Sequence, residues 1–140
     1  VLVVTADLLN APGVRARLAV LERQHLTALH DAIQEAFGWL DDHLYSFWLD
    51  GGFFSDAPGA EYTTPVTPDE GPPTADLPIA ELGLRVGQEV GYVFDFGDEW
   101  RVRLTVEERH EPEHTAEYPR VLELHGTPPP QYPALDDEDQ

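Results

Sequence analysis

The chain has 140 residues, with 27 acidic side chains against 8 basic ones and a formal net charge of −19. Such a field repels polyanions, so direct nucleic-acid binding, which rests on neutralising phosphates, is not expected. Cysteine is absent, which excludes disulfides, thiolate zinc sites and cysteine nucleophiles.

Apolar residues make up 41% of the chain and aromatic ones 10%, enough for a globular unit with its own core. No apolar run approaches the roughly 18 residues of a membrane span. No signal-peptide pattern opens the chain, so a cytoplasmic protein without a membrane partner is expected. Met is absent even at position 1, as expected of a chain that begins after its initiator. Every basic residue is Arg, and none lies between Arg23 and Arg85. Two readings of this surface stay open: solubility with a coding or salt-adaptation bias, or a face suited to a basic partner.

In chain order, Val1–Leu8 reads as a strand, Asn10-Ala11-Pro12-Gly13 as a turn, and Val14–Leu21 as a second strand. Arg15 and Arg17 project from the polar face of this hairpin. Thr27 is the expected N-cap of a helix over Ala28–Phe37, with Leu29, Ala32, Ile33, Ala36 and Phe37 at spacings of three and four. His30, Asp31, Gln34 and Glu35 fall on its polar side, and Gly38 ends it in the left-handed conformation. His43–Leu49 is apolar on both parities, as in a central strand, and Asp50-Gly51-Gly52 turns it into a partner at Phe53-Phe54.

Five prolines between Ser55 and Ala75 oppose helix and ladder alike, which predicts a long surface insertion. A short helical turn is expected at Ile79–Leu82, ended by Gly83. Val90, Tyr92, Phe94 and Phe96 then alternate, as do Trp100, Val102, Leu104 and Val106, and Gly97-Asp98 has the chemistry of a tight hairpin turn. Asp95 lies on the opposite parity and is expected to face away from the core. Tyr118–Leu124 has the composition to pack or to add a strand.

The order ββ, helix, ββ, short turn, ββ predicts an α+β domain over residues 1–135. In it a mixed sheet of about six strands packs on one main helix, in a β-grasp-like element order. A Pro-rich acidic insertion at 55–76 and a disordered acidic tail at 136–140 complete the expectation.

The run Leu26–Phe47, then Phe94–Trp100 (FDFGDEW), then Tyr118-Pro119-Arg120 resembles the Ri-plasmid open-reading-frame-three-like family. Its members are often described as TnpR-like passengers of mobile elements. The resemblance implies an α+β domain with no established reaction. This chain departs from the family pattern in carrying Tyr45, Val102, Val121 and Thr127 where relatives often have His or Cys. Any metal role of those groups in relatives does not carry over.

Recombinase chemistry is not supported. A serine nucleophile needs surrounding Arg groups to stabilise the phosphoryl transition state, and only Ser46 and Ser55 exist. Asp41, Asp42 and His43 precede a strand, while Asp95, Asp98 and Glu99 surround a turn. Asp42, His43, Asp95 and Asp98 form a metal-ligand set if the two loops meet. The alternative is structural: Asp42 serving turn amides, and Asp95 paired with Arg101 or Arg103 across the hairpin. The letters Asp95-Phe96-Gly97 match the kinase magnesium motif without its Lys or glycine-rich loop, so that match carries nothing. Trp100 beside the acidic turn is either core packing or an interface anchor. His25, His30, His110, His114 and His125 are expected to be solvated.

The resulting expectation is a non-catalytic binding or accessory module for a protein or small ligand, with no cofactor, using His43, Asp95, Asp98 and Trp100. A metal-dependent hydrolase on the Asp/His cluster is the alternative. An acidic decoy for a basic DNA-binding protein is a further one.

Overall fold

A computed structural model describes residues 1–65 and 72–131. Among them, seven strands form one sheet: β1 (Leu2–Leu8), β2 (Arg15–Val20), β3 (Tyr45–Trp48), β4 (Glu61–Thr63), β5 (Glu89–Phe94), β6 (Trp100–Arg109) and β7 (Arg120–His125). Their spatial order is β4-β3-β5-β6-β1-β2-β7. Every pairing between these strands is antiparallel. The expectation of about six strands on one helix fits roughly, whereas the expected mixed sheet is corrected to an antiparallel one, and the β-grasp comparison extends to element order alone. Short connections between successive strands favour hairpins, which are antiparallel by construction.

The period-two pattern behaves as the sequence implies on the inner face. Leu2, Val4, Ala6 and Leu8 of β1 and Val102, Leu104 and Val106 of β6 are buried there, joined by Tyr92 and Phe94 of β5. The helix α1 (Leu26–Phe37) closes this face with Leu26, Leu29, Ile33 and Phe37. No helix among the described residues is long and apolar enough to cross a membrane.

Both ends of α1 differ in how they are satisfied. His25, not Thr27, holds the N-cap position, and no side chain caps it. The amides of Leu26 and Thr27 instead donate to the carbonyls of Leu77 and Ala75, at 2.9 and 3.2 Å. Backbone from another segment thus meets the orphan donors that a helix start always leaves. At the other end Gly38 adopts φ 72°, where a Cβ would be penalised, as expected of a glycine that stops a helix.

The Pro-rich stretch contributes more than a loop. Glu61–Thr63 pairs with β3, and Ala75 is fully buried. An edge strand of three residues escapes the proline argument because Pro58 and Pro65 fall outside its ladder. Residues 66–71 of the expected insertion, and the tail expected at 136–140, lie outside the described residues. The expected strand partner at Phe53-Phe54 is absent among the described residues, since β3 pairs with β4 and β5. The chain after β3 instead folds back across the outer face of the sheet. There Phe54 packs on Trp48, with ring centroids 5.1 Å apart, and the guanidinium groups of Arg101 and Arg103 lie over the Phe53 ring at 5.3 and 5.9 Å. The short 3-10 turn at Ile79–Leu82 forms as expected and ends on a left-handed Gly83.

Gly91 is what lets this loop sit down. A Cβ there would lie 2.1 Å from the Gly52 carbonyl oxygen, so the backbone of the loop would have to move. Gly91→Ala is expected to cost about 1–3 kcal/mol, the range for overpacking a tight site. Urea denaturation should show a lower midpoint with unchanged slope; a wild-type midpoint would contradict the assigned contact.

Candidate functional site

The aromatic hairpin changes parity at its tip, and that change builds the site. β5 stops at Phe94 and β6 starts at Trp100, so the turn spans Asp95–Glu99 instead of the two residues Gly97-Asp98. The left-handed positions are Asp95 and Glu99, at φ 65° and 53°, and not Gly97. Asp tolerates this conformation because its side chain replaces the missing ladder. Asp95 Oδ1 accepts the amides of Gly97 and Asp98 at 3.1 and 3.2 Å, while its own amide donates to the Leu44 carbonyl at 2.9 Å. Asp95, expected to face outward, is therefore buried, and Phe96, expected in the core stripe, is 37% exposed.

The same inversion decides which of the expected site residues meet. His43 Nε2 lies 3.4 Å from Asp95 Oδ2 and 3.5 Å from Asp42 Oδ1. Its ring stands edge-on to Phe94, with centroids 5.9 Å apart. Asp98 is exposed and is joined to this group through its backbone amide. The expected pairing of Asp95 with Arg101 or Arg103 does not form. Arg101 reaches Glu99 at 2.7 Å and Arg103 lies 3.9 Å from Glu89. Trp100 is buried against Trp39, with centroids 5.5 Å apart, so it belongs to the core.

A second polar group was not expected from the sequence. His30 is 2% exposed, and Gln34 is buried beside it, whereas both were placed on the solvated side of α1. Gln34 Nε2 donates to the Tyr92 hydroxyl at 3.1 Å, and that hydroxyl lies 2.8 Å from His30 Nδ1. His30 Nε2 lies 3.0 Å from Asp41 Oδ1. A phenol has one proton to give. Accepting from Gln34, Tyr92 donates to His30 Nδ1, and the neutral imidazole then donates from Nε2 to Asp41. Tyr45 stacks on the same imidazole at 3.6 Å with planes 10° apart. A tyrosine on the buried parity of a central strand was the available signal, because a buried phenol needs a polar partner. The helix residues at i and i+4 that supply it were the ones to seek.

Burial pushes the His30 pKa down from 6.5, against the opposing pull of Asp41. Desolvation also raises the Asp31 carboxyl, and it raises the Tyr45 and Tyr92 hydroxyls further. Among the described residues, one group of three potential ligands has its atoms within 4.8 Å of one another, and it is His30, Asp31 and Asp41. The set His43, Asp95 and Asp98 is not assembled to that standard.

An antiparallel sheet closed by one helix, with an acidic, histidine-bearing loop cluster at the sheet end, defines an α+β protein. The chain belongs to the plasmid pRiA4b ORF-3-like protein family, whose model matches residues 2–132. It is similar to the uncharacterized protein y4hQ of Sinorhizobium fredii, 35% identical over 126 residues, covering 86% of this chain and 59% of that protein. The chain thus spans about three fifths of that relative's length. Its fold is shared with a crystal structure of MM3350, a protein of unknown function from Methanosarcina mazei Go1. The TM-score is 0.75 at 22% identity, covering 93% of this chain and 71% of that one. These relatives carry no described function, and the family is plasmid-associated.

The sign of the His30 effect follows from its depressed pKa. The unfolded chain takes up a proton on this ring near its ordinary value of 6.5, while the folded chain resists it. The contribution is therefore complete above that value and is lost as pH falls toward the folded pKa. In metal-free buffer, unfolding free energy should drop between pH 7 and 5, and His30→Gln should flatten that slope. An unchanged slope in the variant would assign the effect elsewhere.

Proposed function

We propose that the chain is a non-catalytic binding module that presents the loop-bearing end of its sheet to a cationic partner. One observation carries this reading: exposed Leu40, Leu44, Phe54 and Phe96 accompany the acidic loops at 39–44 and 95–99. The Phe54 and Phe96 rings are 6.0 Å apart, and the Leu44 carbonyl is bonded to the turn that carries Phe96. Apolar side chains held together at a surface and bordered by charge are a common form of protein interaction site. Asp41, Asp42, Asp98 and Glu99 supply the negative border, so the complementary partner is a protein segment with Arg or Lys beside an apolar anchor. A basic DNA-binding protein, engaged as by a decoy, is one member of that class. In this reading the protein is a single cytoplasmic domain, and His43 with Asp95 orients the loop while Trp100 supports it from beneath.

A metal-dependent hydrolase is the second reading, favoured by the approach of His43 to Asp95 and Asp42. It requires Asp98 to turn toward the same point.

Selection of displayed peptides on the purified chain distinguishes the two. The binding reading predicts enriched sequences that combine basic and aromatic residues, with affinity that falls as salt rises. Leu44→Ser with Phe96→Ser should weaken these peptides at least about tenfold, the loss expected when apolar anchors of an interface are removed. Peptides held equally well by the double variant would refute this surface. Manganese-dependent cleavage of phosphoesters, lost in Asp95→Asn, would favour the hydrolase.

A further inference from the structure

We propose that His30, Asp31 and Asp41 form a site for one divalent transition-metal ion, such as Zn²⁺ or Mn²⁺, where α1 meets the 39–44 loop. This inference uses residues outside the His43 cluster and stands whether or not the sheet end binds a partner. Three potential ligand atoms within 4.8 Å of one another are close enough to share one ion. An imidazole nitrogen with carboxylate oxygens suits Zn²⁺ and Mn²⁺ more than a soft ion, and three protein ligands leave positions for water.

The charge balance favours an ion. Two carboxylates and a neutral imidazole carry two negative charges, which one divalent cation cancels. Among the described residues no arginine forms an ion pair with Asp31 or Asp41, and Asp41 pairs with His30 itself. The site also falls within the stretch between Arg23 and Arg85 that has no basic side chain.

Preorganisation is the second argument. Metal-binding imidazoles usually hold their other nitrogen on a polar neighbour, which fixes the ring and its tautomer. Here Nδ1 lies 2.8 Å from the Tyr92 hydroxyl, and the stack on Tyr45 fixes the ring plane. The ring plane and the direction of Nε2 are therefore fixed before any ion arrives, while Nε2 itself carries the ring proton until an ion displaces it.

Gln34 gives the polar chain a way to reverse when an ion binds. Its Oε1 is buried without a hydrogen-bond partner. Turning the amide over exchanges its oxygen and nitrogen in nearly the same volume. Tyr92 would then donate to Gln34 Oε1 and accept from His30 Nδ1–H. The lone pair of His30 Nε2 is left facing the Asp41 carboxylate, two acceptors that need a cation between them. The exchange leaves one amide atom bare, as it is already, so the polar chain reverses without a large penalty. Metal loading thus shifts the single ring proton from Nε2 to Nδ1, with no net proton released by the ring.

The test is calorimetric titration of the full, chelator-treated chain with Zn²⁺ and with Mn²⁺, alongside ¹⁵N NMR of the histidine rings. One equivalent of ion should bind. Asp31→Asn and Asp41→Asn, both at exposed positions, should each weaken it at least about tenfold, the order of effect seen when groups around a metal are altered. His114→Ala should leave it unchanged. The Nε2 resonance of His30 should shift on binding while Nδ1 becomes the protonated nitrogen. No binding, binding that survives both Asn variants, or a bound ion that leaves the His30 ring unshifted would each overturn the proposal.

Discussion

The hydroxyl of Tyr92 is the group that the rest of the structure must accommodate. It is buried on the inner face, between β3 and β6, in a core built mainly of apolar side chains. A buried phenol without a partner costs roughly 1–3 kcal/mol. α1 meets this demand by turning His30 and Gln34 inward, one helical turn apart. That requirement fixes the rotation of the helix, because a slip of one residue would swing both side chains by about 100°. The constraint then passes outward, from His30 to Asp41 and so to the 39–44 loop. His43 and Asp95 tie the same loop to the hairpin tip. A core requirement in this way positions a surface segment.

The two faces of the sheet solve burial differently. The inner face is closed by the helix. The outer face is closed only in places, by the Phe53-Phe54 loop over β5 and by Tyr118 and Leu122 near Val3 and Ala19. Elsewhere it carries ion pairs such as Arg15 with Asp7 and Arg17 with Glu123, both at 2.7 Å and partly or largely exposed. Exposed pairs of this kind contribute little to stability. They do leave an open sheet face charged and solvated. At one edge, β4 is only three residues long and is followed by Pro65, which shortens the ladder available to another strand.

The 39–44 loop lies between these solutions and is where the chemistry of the chain collects. On one side it gives Asp41 to His30; on the other it gives His43 to Asp95; between them Leu40 and Leu44 remain in solvent. Trp39 anchors it from below, stacked on Phe94 with centroids 5.3 Å apart. A segment fixed at its buried points and open at its apolar ones is suited to recognition, since little order must be gained on binding.

Alternation and glycine placement determined the strands, the single helix and its end at Gly38, because these depend on local geometry that each residue carries with it. The approach of His43 to Asp95 was legible only as a condition, that the two acidic loops meet. Tertiary structure alone decided that Asp95 turns inward and Phe96 outward, since side-chain hydrogen bonds at the tip broke the parity that a strand would have kept. It alone decided the burial of His30 and Gln34, whose polarity reads as solvation until Tyr92 is placed opposite them. It also decided that Glu61–Thr63 forms an edge strand, because pairing depends on what β3 offers from elsewhere in the chain. Local conformation is written in neighbouring residues, whereas the cost of a buried polar group is set by whatever distant residue comes to meet it.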